Sequence, residues 1–292
     1  MTPNVPLDNS CETFRQMVAQ HGITSGVISA FQRLIHSFYA EHARSFPWRD
    51  TTDPYHILVS ELMLQQTQVD RVREKYIQFI TAFPTLSDLA QASLQQVLER
   101  WQGLGYNRRA VALHRAARQV IEDFTGVLPA DGVALQSLPG IGPYTAAAIQ
   151  AFAFNKPAVV IDTNIRTVFI HCFFDGSQNV HDADIRPLVE QVMDRSNPRE
   201  WYSALMDFGA MLKKQVPNPS RSSAHYTKQP PFEGSDRQIR GRILKEVLAH
   251  PDMTRQALLT AVGEPSLQVG VLINQLIAEG FLVQEQDRIR IA

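Results

Sequence analysis

The stretch LPGIGPYTAAAIQAFAFNKPAVVIDTNIRTV, residues 138–168, determines how the rest of the sequence is interpreted. It begins with Gly140 and Gly142, which allow a tight turn and a close approach of the backbone to a ligand. Pro143 follows and suits the first turn of a helix, where its missing N–H is not needed. Amides at such a helix N-terminus attract anions. Residues 140–142 therefore predict a phosphate-binding turn, and the alternative is an ordinary joint between two helices.

The same stretch ends with Asp162 in front of an apolar helix, where Asp is a favoured N-cap. A second acid, Glu61, makes a catalytic interpretation possible. On its own helix Glu61 shares a face with Leu58 and Leu64. A carboxyl held against apolar walls has a raised pKa and can act as an acid near neutrality. The alternative is a Glu at the edge of the apolar stripe with its head in water.

Composition excludes several classes of protein. The formal net charge is −1, so any surface that binds a polyanion must be local. Cys11 and Cys172 are the only cysteines, which excludes a disulfide scaffold and a four-cysteine cluster and suits a reducing compartment. The sequence predicts no signal peptide and no membrane span, and hence a cytoplasmic location, associated with the nucleoid if the source is bacterial.

The organisation of the chain is mainly α. Residues 1–24 are polar and weakly patterned, which predicts a loose N-terminal arm, whereas residues 25–214 repeat apolar positions at helical spacing. Residues 215–236 are rich in Pro and Ser and predict a linker. Residues 237–292 predict three helices, the last capped by Gly280, and a terminal hairpin, as in a winged-helix module. An accessory bundle is the alternative, and mixed charges leave DNA contact by this segment open.

Four motifs in order resemble the helix-hairpin-helix DNA glycosylase superfamily, and within it the MutY-type adenine DNA glycosylases. The motifs are FPWRDTTDPYHILVSELMLQQTQV, WQGLGYNRRAVALHRAA, LPGIGPYTAAAIQAFAF and VIDTNIRTV. The resemblance implies a two-lobed helix-hairpin-helix fold over residues 25–214. One lobe, of six helices, would cover about residues 50–160, and the other would combine residues 25–49 with 163–214.

The resemblance also implies catalytic roles. Glu61 matches the acid that protonates adenine at N7, and Asp162 matches the carboxylate that supports the oxocarbenium-like sugar. Asn164 matches a residue that helps to place the nucleophilic water. Tyr144 matches a tyrosine that assists at the site. It occupies the position where endonuclease III-like relatives carry a Schiff-base lysine, so the resemblance implies a monofunctional glycosylase without strong lyase activity.

The DNA-binding residues follow from the same resemblance, and the implied partner is double-stranded DNA with a mispaired or damaged base, bound by a monomer. Gln66 and Tyr106 match side chains that fill the gap left by a flipped nucleotide, and Thr67 matches a contact to the opposite base. The base pocket is matched by Arg44, Trp48 and Arg49, and the phosphate-binding hairpin by Gly140, Ile141 and Gly142. The alternatives are a packed loop aromatic for Tyr106 and a core residue for Trp48.

The sequence departs from the family pattern at two places. The four-iron cluster pattern C-x6-C-x2-C-x5-C would fall on Lys213, Ser220, Ser223 and Gln229, none of which is a usual ligand. We therefore expect neither cluster nor catalytic metal, with only a structural cation at the hairpin carbonyls allowed by the resemblance.

The second departure is the short segment 237–292, which stands where the family's larger 8-oxoguanine recognition domain would be. Asn107 replaces the second aromatic that follows the wedge tyrosine in many members. The predicted function is excision of a mispaired base, with adenine as the first choice. The alternatives are a uracil or thymine glycosylase, which needs no acid at N7, and a non-catalytic DNA-binding protein.

Overall fold

The computed structural model describes residues 7–228, 231–263 and 266–292, and it confirms the predicted mainly α class. The helices, in chain order, are α1 (Leu7–His21), α2 (Ser25–His42), α3 (Pro54–Leu64), α4 (Val69–Ala82), α5 (Leu86–Gln91), α6 (Leu94–Trp101), α7 (Arg108–Asp123), α8 (Gly132–Gln136), α9 (Pro143–Phe152), α10 (Thr163–Phe173), α11 (Asp182–Val192), α12 (Pro198–Gln215), α13 (Asp236–Ala249), α14 (Arg255–Val262) and α15 (Ser266–Ala278). Within the described residues, none of these helices combines the length and hydropathy that crossing a membrane requires.

The chain divides into two compact units. Unit 1 comprises residues 1–54, 130–132 and 142–228, and unit 2 comprises residues 55–129, 133–141 and 229–292. The boundary therefore falls between Ile141 and Gly142, inside the hairpin, and not near residue 160 as predicted. The reason is that α9 buries apolar residues such as Ala151 in the core of unit 1.

The core of unit 1 is built around Phe31 of α2, which is fully buried. Its ring lies 5.3 Å from that of Phe14, 5.8 Å from Phe169 and 5.9 Å from Trp201, centroid to centroid. Phe14 belongs to α1, so the prediction of a loose arm is wrong for residues 7–21; residues 1–6 lie outside the described residues. The apolar pattern of this segment is weak because only a few of its residues, such as Phe14 and Cys11, pack into the core of unit 1.

Unit 2 joins helices α3–α7 to the C-terminal segment. That segment has the predicted three helices and a terminal hairpin, formed by β2 (Leu282–Glu285) and β3 (Arg288–Ile291). A two-residue strand, β1 (Met253–Thr254), adds to β3 in antiparallel orientation and gives the sheet order β1-β3-β2. The order of elements is that of a winged helix. Gly280 follows α15 with φ of 76°, as expected for a residue that ends a helix in the left-handed conformation.

Part of the segment predicted as a linker forms regular structure. Gln229 and Pro230 of this segment lie outside the described residues. Residues Pro219–Ser222 form a 3-10 helix, and the Asn218 side chain caps it by accepting from the Ser220 N–H. A parallel bridge then joins Ser223 to Val180. Hydrogen bonds within unit 1 thus hold residues 218–223 of this segment.

Helix α12 approaches the start of α10 more closely than any side chain would permit. A Cβ added at Gly209 would lie 2.2 Å from the carbonyl oxygen of Asn164. We expect Gly209→Ala to lower the free energy of unfolding by about 1–3 kcal/mol, because the two helices must separate. Thermal unfolding measures this. Gly26→Ala, in α2 of the same unit, meets only ordinary contacts and should leave the melting temperature unchanged or slightly higher. Equal melting temperatures for the two variants would contradict the close approach.

Candidate active site and DNA-binding residues

The Asp162 carboxylate is held at the start of α10 by both of its oxygens. Oδ1 accepts from the backbone N–H of Ile165 at 2.6 Å, which makes Asp162 the N-cap of the helix. Oδ2 accepts from Nδ2 of Asn164 at 3.0 Å. Burial raises the pKa of Asp162, while the Ile165 N–H and the positive charge of Lys213 oppose that rise. The cap interpretation is thus confirmed, and it is compatible with a carboxylate fixed for chemistry.

Lys213 of α12 completes this arrangement. Its Nζ donates to Oδ1 of Asn164 at 2.8 Å, so the Asn164 amide points its oxygen to the ammonium and its NH₂ to Asp162. Burial lowers the pKa of Lys213, and the neighbouring Asp162 charge acts in the opposite direction. The sequence drew attention to Lys213 only because it occupies a position where the cluster pattern has a cysteine. In the folded chain Lys213 contacts Asp162 indirectly, through the side-chain amide of Asn164.

The residues at the other cluster positions do not fit an iron–sulfur cluster, because none supplies a thiolate. Ser220 is buried and its hydroxyl donates to Asn218, and Ser223 accepts from the N–H of His225. Gln229 lies outside the described residues. The two cysteines of the chain are both buried in the core of unit 1. In the described residues, no group of three or more His, Cys, Asp or Glu side chains is placed to hold a metal ion.

Two of the residues predicted for the base pocket have a structural partner that the sequence did not reveal. Arg44 and Arg49 both bind the carboxylate of Asp207, which is 2% exposed. Their guanidinium carbons also lie 5.1 and 5.0 Å from the ring centroid of Phe46. The Trp48 ring stacks on the same Phe46 ring, with 5.1 Å between the two ring centroids. These contacts fix the geometry of residues 44–49, and their part in binding a base stays a prediction.

Glu61 lies on α3, whose residues from Ile57 to Met63 are all buried. Its own exposure is 7%, so the alternative of a carboxylate with its head in water is wrong. The side chain is withdrawn from solvent, as the apolar neighbours in the sequence indicated. In unit 1, Tyr144 lies in the first turn of α9 and packs half-buried against the core.

The hairpin has the backbone that its glycines predicted. Gly140 has φ of 78°, and a Cβ there would lie 2.7 Å from the Cβ of Ala112. The Ile141 side chain is buried, and its N–H donates to the carbonyl of Leu138 at 3.2 Å. Gly142 is the N-cap of α9 and provides no side-chain cap. This helix N-terminus is the predicted phosphate contact, with the amide of Ile141 already used in the turn.

The two predicted wedge residues, Gln66 and Tyr106, share an unusual backbone conformation. Their φ values are 54° and 48°, in the left-handed region that ordinary side chains rarely adopt. Such strain persists only where surrounding contacts impose it. The guanidinium of Arg109, which is 8% exposed, donates to both loops, and Trp101 and Arg237 add hydrogen bonds to the loop that holds Tyr106.

Arg109 connects the two wedge loops in unit 2. Its Nη1 donates to the carbonyls of Leu62 and Met63, at 2.8 and 2.9 Å, and to that of Gln65. Its Nη2 donates to the Thr67 hydroxyl at 3.1 Å and to the Gly105 carbonyl at 3.0 Å. Burial lowers the pKa of Arg109 to about 10, so it stays charged at neutral pH. Thr67, predicted to contact the opposite base, is thus also a partner of this arginine.

Sequence reasoning missed Arg109, although a signal was present. Leu113 and Ala116 lie one and two turns further along α7 on the same side, and both are buried. A charged residue on an apolar helix face was the argument that singled out Glu61. The same argument applied to α7 would have identified Arg109 as a buried group with polar partners.

Comparison with known proteins places these features in a family. Residues 59–193 match the model of the "HhH-GPD superfamily base excision DNA repair protein". An adenine DNA glycosylase of Mycobacterium tuberculosis is 32% identical over 278 residues, which cover 86% of this chain and 90% of that protein. A thymine/uracil-DNA glycosylase of Methanothermobacter thermautotrophicus is 33% identical over 186 residues, 62% of this chain and 84% of that protein.

A solved structure of a thermostable thymine-DNA glycosylase superposes with a TM-score of 0.57 at 28% identity, over 73% of this chain and 91% of that one. The chain therefore belongs to the HhH-GPD superfamily of base excision DNA repair proteins. Its relatives there include the adenine DNA glycosylases. One of them, from Rattus norvegicus, is 36% identical over 197 residues, which are 63% of this chain but only 38% of the length of that protein.

The Arg109 contacts predict a coupled loss of stability and DNA binding. Arg109→Met leaves several buried carbonyls without a donor, which should lower the free energy of unfolding by about 3 kcal/mol. It should also weaken binding to a mispaired duplex, because both wedge loops lose their support. Urea unfolding and fluorescence anisotropy measure the two effects. Arg118→Met, an exposed arginine of the same helix, is the matched control, and equal behaviour of the two variants would refute the role of Arg109.

The Lys213 contact predicts a specific defect in the chemical step. Lys213→Met removes the donor to Asn164, and we expect the single-turnover rate constant for base release to fall about tenfold or more. The duplex Kd should change little. Because the Lys213 charge holds the pKa of Asp162 down, the acid limb of the pH–rate profile should move to higher pH in the variant. Lys214→Met changes an exposed neighbour and should keep the wild-type profile; an unmoved acid limb in Lys213→Met would contradict this prediction.

Proposed function

We propose that this chain is a monofunctional DNA glycosylase that flips a mispaired adenine and hydrolyses its N-glycosidic bond. The observation that carries the proposal is an acid held in place in each of the two units of a member of this superfamily. Glu61 is buried on α3, and Asp162 is held by Ile165 and Asn164 at the start of α10. The adenine DNA glycosylases among the relatives support the choice of base.

The chemistry requires a better leaving group and a stabilised sugar cation. Protonated Glu61 would donate its proton to N7 of adenine, and the C1′–N9 bond would then break with its electron pair passing to the base. The Asp162 carboxylate would stabilise the positive charge that develops on the sugar. A water placed with the help of Asn164 would add to C1′ and lose a proton. The products are free adenine and an abasic site.

Tyr144 supports the monofunctional part of the proposal. A lysine at this position could attack C1′ as an amine and form the Schiff base from which strand cleavage follows. A tyrosine has no amine, so water remains the nucleophile and the DNA backbone remains intact.

The DNA contacts are proposed from the same residues. Gln66 and Tyr106 would fill the gap left by the flipped nucleotide, and Thr67 would lie near the opposite base. The hairpin at Gly140–Gly142 would hold one phosphate at the N-terminus of α9. Trp48, with Arg44 and Arg49, would line the base pocket.

The protein is proposed to work as a monomer in the cytoplasm and without an iron–sulfur cluster. The absence of cysteines from positions 213, 220 and 223 supports the last point. A cation bound to the hairpin carbonyls is the one metal that the resemblance allows.

A pyrimidine glycosylase is the second candidate, favoured by the thymine/uracil-DNA glycosylase relative and by the superposed thymine-DNA glycosylase structure. Removal of uracil or thymine uses the Asp and Tyr but needs no proton at N7. The presence of Glu61 argues for a purine, because removal of a pyrimidine needs no acid at N7. A non-catalytic DNA-binding protein is the third candidate, against which the ordered Asp162–Asn164 pair counts.

A panel of labelled duplexes tests the proposal. Each carries one candidate base: adenine opposite 8-oxoguanine or guanine, hypoxanthine, or uracil or thymine opposite guanine. We expect strand breaks at adenine only after alkali treatment. Asp162→Asn and Glu61→Gln should each slow adenine release by about a thousandfold, because the charge or the proton of the carboxyl is lost, and should still bind the duplex.

Other outcomes separate the candidates. Release of only uracil or thymine, with a mild effect of Glu61→Gln, would establish the pyrimidine glycosylase. Binding without release of any base would establish the non-catalytic alternative. Strand breaks without alkali would overturn the monofunctional assignment.

A further inference from the structure

Unit 2 contains a groove of about 1000 Å³ that the sequence did not predict. Its walls come from the two wedge loops, with Gln66 and Tyr106, and from helix α13 of the winged-helix module. From these walls and their charges we infer that the groove binds a strand of the substrate DNA next to the wedge. The module thereby becomes part of the DNA-binding surface. This inference rests on the proposed function, which supplies the DNA substrate.

The module is fixed against the wedge loops by a charged contact. Glu279, at the end of α15, accepts from Arg108 of α7 at 2.6 and 2.8 Å and from Arg240 of α13 at 2.6 and 3.1 Å. These two arginines lower the pKa of Glu279 to about 2. Arg115 adds a hydrogen bond to the Glu279 carbonyl at 3.3 Å. The groove is therefore a built feature of unit 2, with α13 held beside residues 104–108.

The charge of the groove is positive although the chain as a whole carries −1. Glu279 pairs with Arg108 and Arg240 and cancels one of their two positive charges, and Arg109 is buried under the wedge loops. Arg71, Arg237 and Lys245 also line the groove, against Asp236 as the acid in its lining. Arg71 and Lys245 are exposed. Cations of this kind on one concave surface are the arrangement that contacts phosphates without reading sequence.

Aromatic rings in the same groove can stack on the bases of a DNA strand, whose phosphates the cations contact. Phe232 is 60% exposed, and Tyr106 is half-buried beneath Arg237, whose guanidinium carbon lies 5.4 Å from its ring centroid. Arg237 also donates to the Tyr106 hydroxyl. An exposed aromatic face among cations, such as that of Phe232, binds single-stranded nucleic acid by stacking a base. Because Tyr106 belongs to both features, a strand with one base out of its stack at the wedge can continue into this groove.

Helix α15 does not provide the usual route of a winged helix to DNA. In helix-turn-helix proteins the last helix of the motif enters the major groove and needs polar and basic side chains there. Helix α15, SLQVGVLINQLIA, carries neither Lys nor Arg. Four of the seven basic residues of segment 237–292 are on α13, and three of them, Arg237, Arg240 and Lys245, line the groove. The other three bind acceptors within the module: Arg255 of α14, and Arg288 and Arg290 of the hairpin. This placement favours a DNA strand in the groove over independent binding of duplex DNA by the winged helix.

The test compares exposed cations inside and outside the groove. The variants Arg71→Ala, Lys245→Ala and the double variant remove groove charges, and Arg242→Ala removes an exposed charge of α13 that does not line the groove. The full-length protein is titrated by anisotropy against an adenine-mispaired duplex that carries a non-hydrolysable sugar analogue. We expect each groove variant to bind about three- to tenfold more weakly. The slope of log K against log salt should fall by about one per lost phosphate contact, and Arg242→Ala should match wild type.

Gly241 offers a test of sign. It lines the groove, and nothing lies within 4 Å of a Cβ added there, so a side chain can enter without displacing a neighbour. Gly241→Glu should weaken DNA binding, and Gly241→Arg should strengthen it, whereas both should keep the wild-type melting temperature. A structural groove would give equal affinities for the two variants.

Failure of this inference differs from failure of the proposed function. Groove variants that keep wild-type affinity and salt slope would overturn the inference, as would an Arg242→Ala variant that is equally weakened. Base release by the wild type would survive either result. A wild type that releases no base, but binds DNA with the predicted groove dependence, would overturn the glycosylase function and leave the groove in place.

Discussion

The charge of Arg109 is the constraint on which unit 2 depends. Helix α3 ends at Leu64 with carbonyls that have no helical partner, and the loop at residues 104–106 brings further carbonyls to the same place. One guanidinium serves as the donor for both sets, because its N–H groups form a rigid planar fork. Burying that charge costs free energy, and the carbonyls around it offset the cost. The consequence is that Gln66 and Tyr106, forty residues apart along the chain, keep their strained conformations together.

Unit 1 uses the same principle around two carboxylates. Asp207 takes the guanidinium groups of Arg44 and Arg49, and Asp162 takes an amide whose other end is held by Lys213. In each case the carboxylate has a fixed orientation because both of its oxygens accept hydrogen bonds. Lys213 stands where a cluster cysteine would be expected, so the same helix end that would carry an iron ligand orients Asn164 instead. The loop that follows is held by Asn218 and the bridge to Val180.

The winged-helix module extends the wedge loops of unit 2 into a larger surface. Glu279 joins α15 to α7 and α13, and Arg237 joins α13 to Tyr106. A segment whose overall charge is mixed thus contributes cations to the groove, because Glu279 is paired in the contact with α7 and α13 while Arg237 and Lys245 line the groove. Bulk composition could not show this, because it counts charges without saying which of them neutralise each other.

The sequence alone determined the helical class and predicted the hairpin at Gly140, because each depends on spacing along one element, whereas for Glu61 it left open a buried carboxyl and one with its head in water. Gly140 needs a left-handed residue, and Glu61 shares a helix face with leucines. Only the tertiary structure decided the partners of Asp207 and Lys213 and the distant partners of Arg109, which lie 42 to 163 residues away along the chain. It also decided that residues 7–21 enter a core and that α9 belongs to unit 1. Hydrogen bonds and packing between distant segments leave no periodic pattern in a sequence, so neither spacing nor composition could predict them.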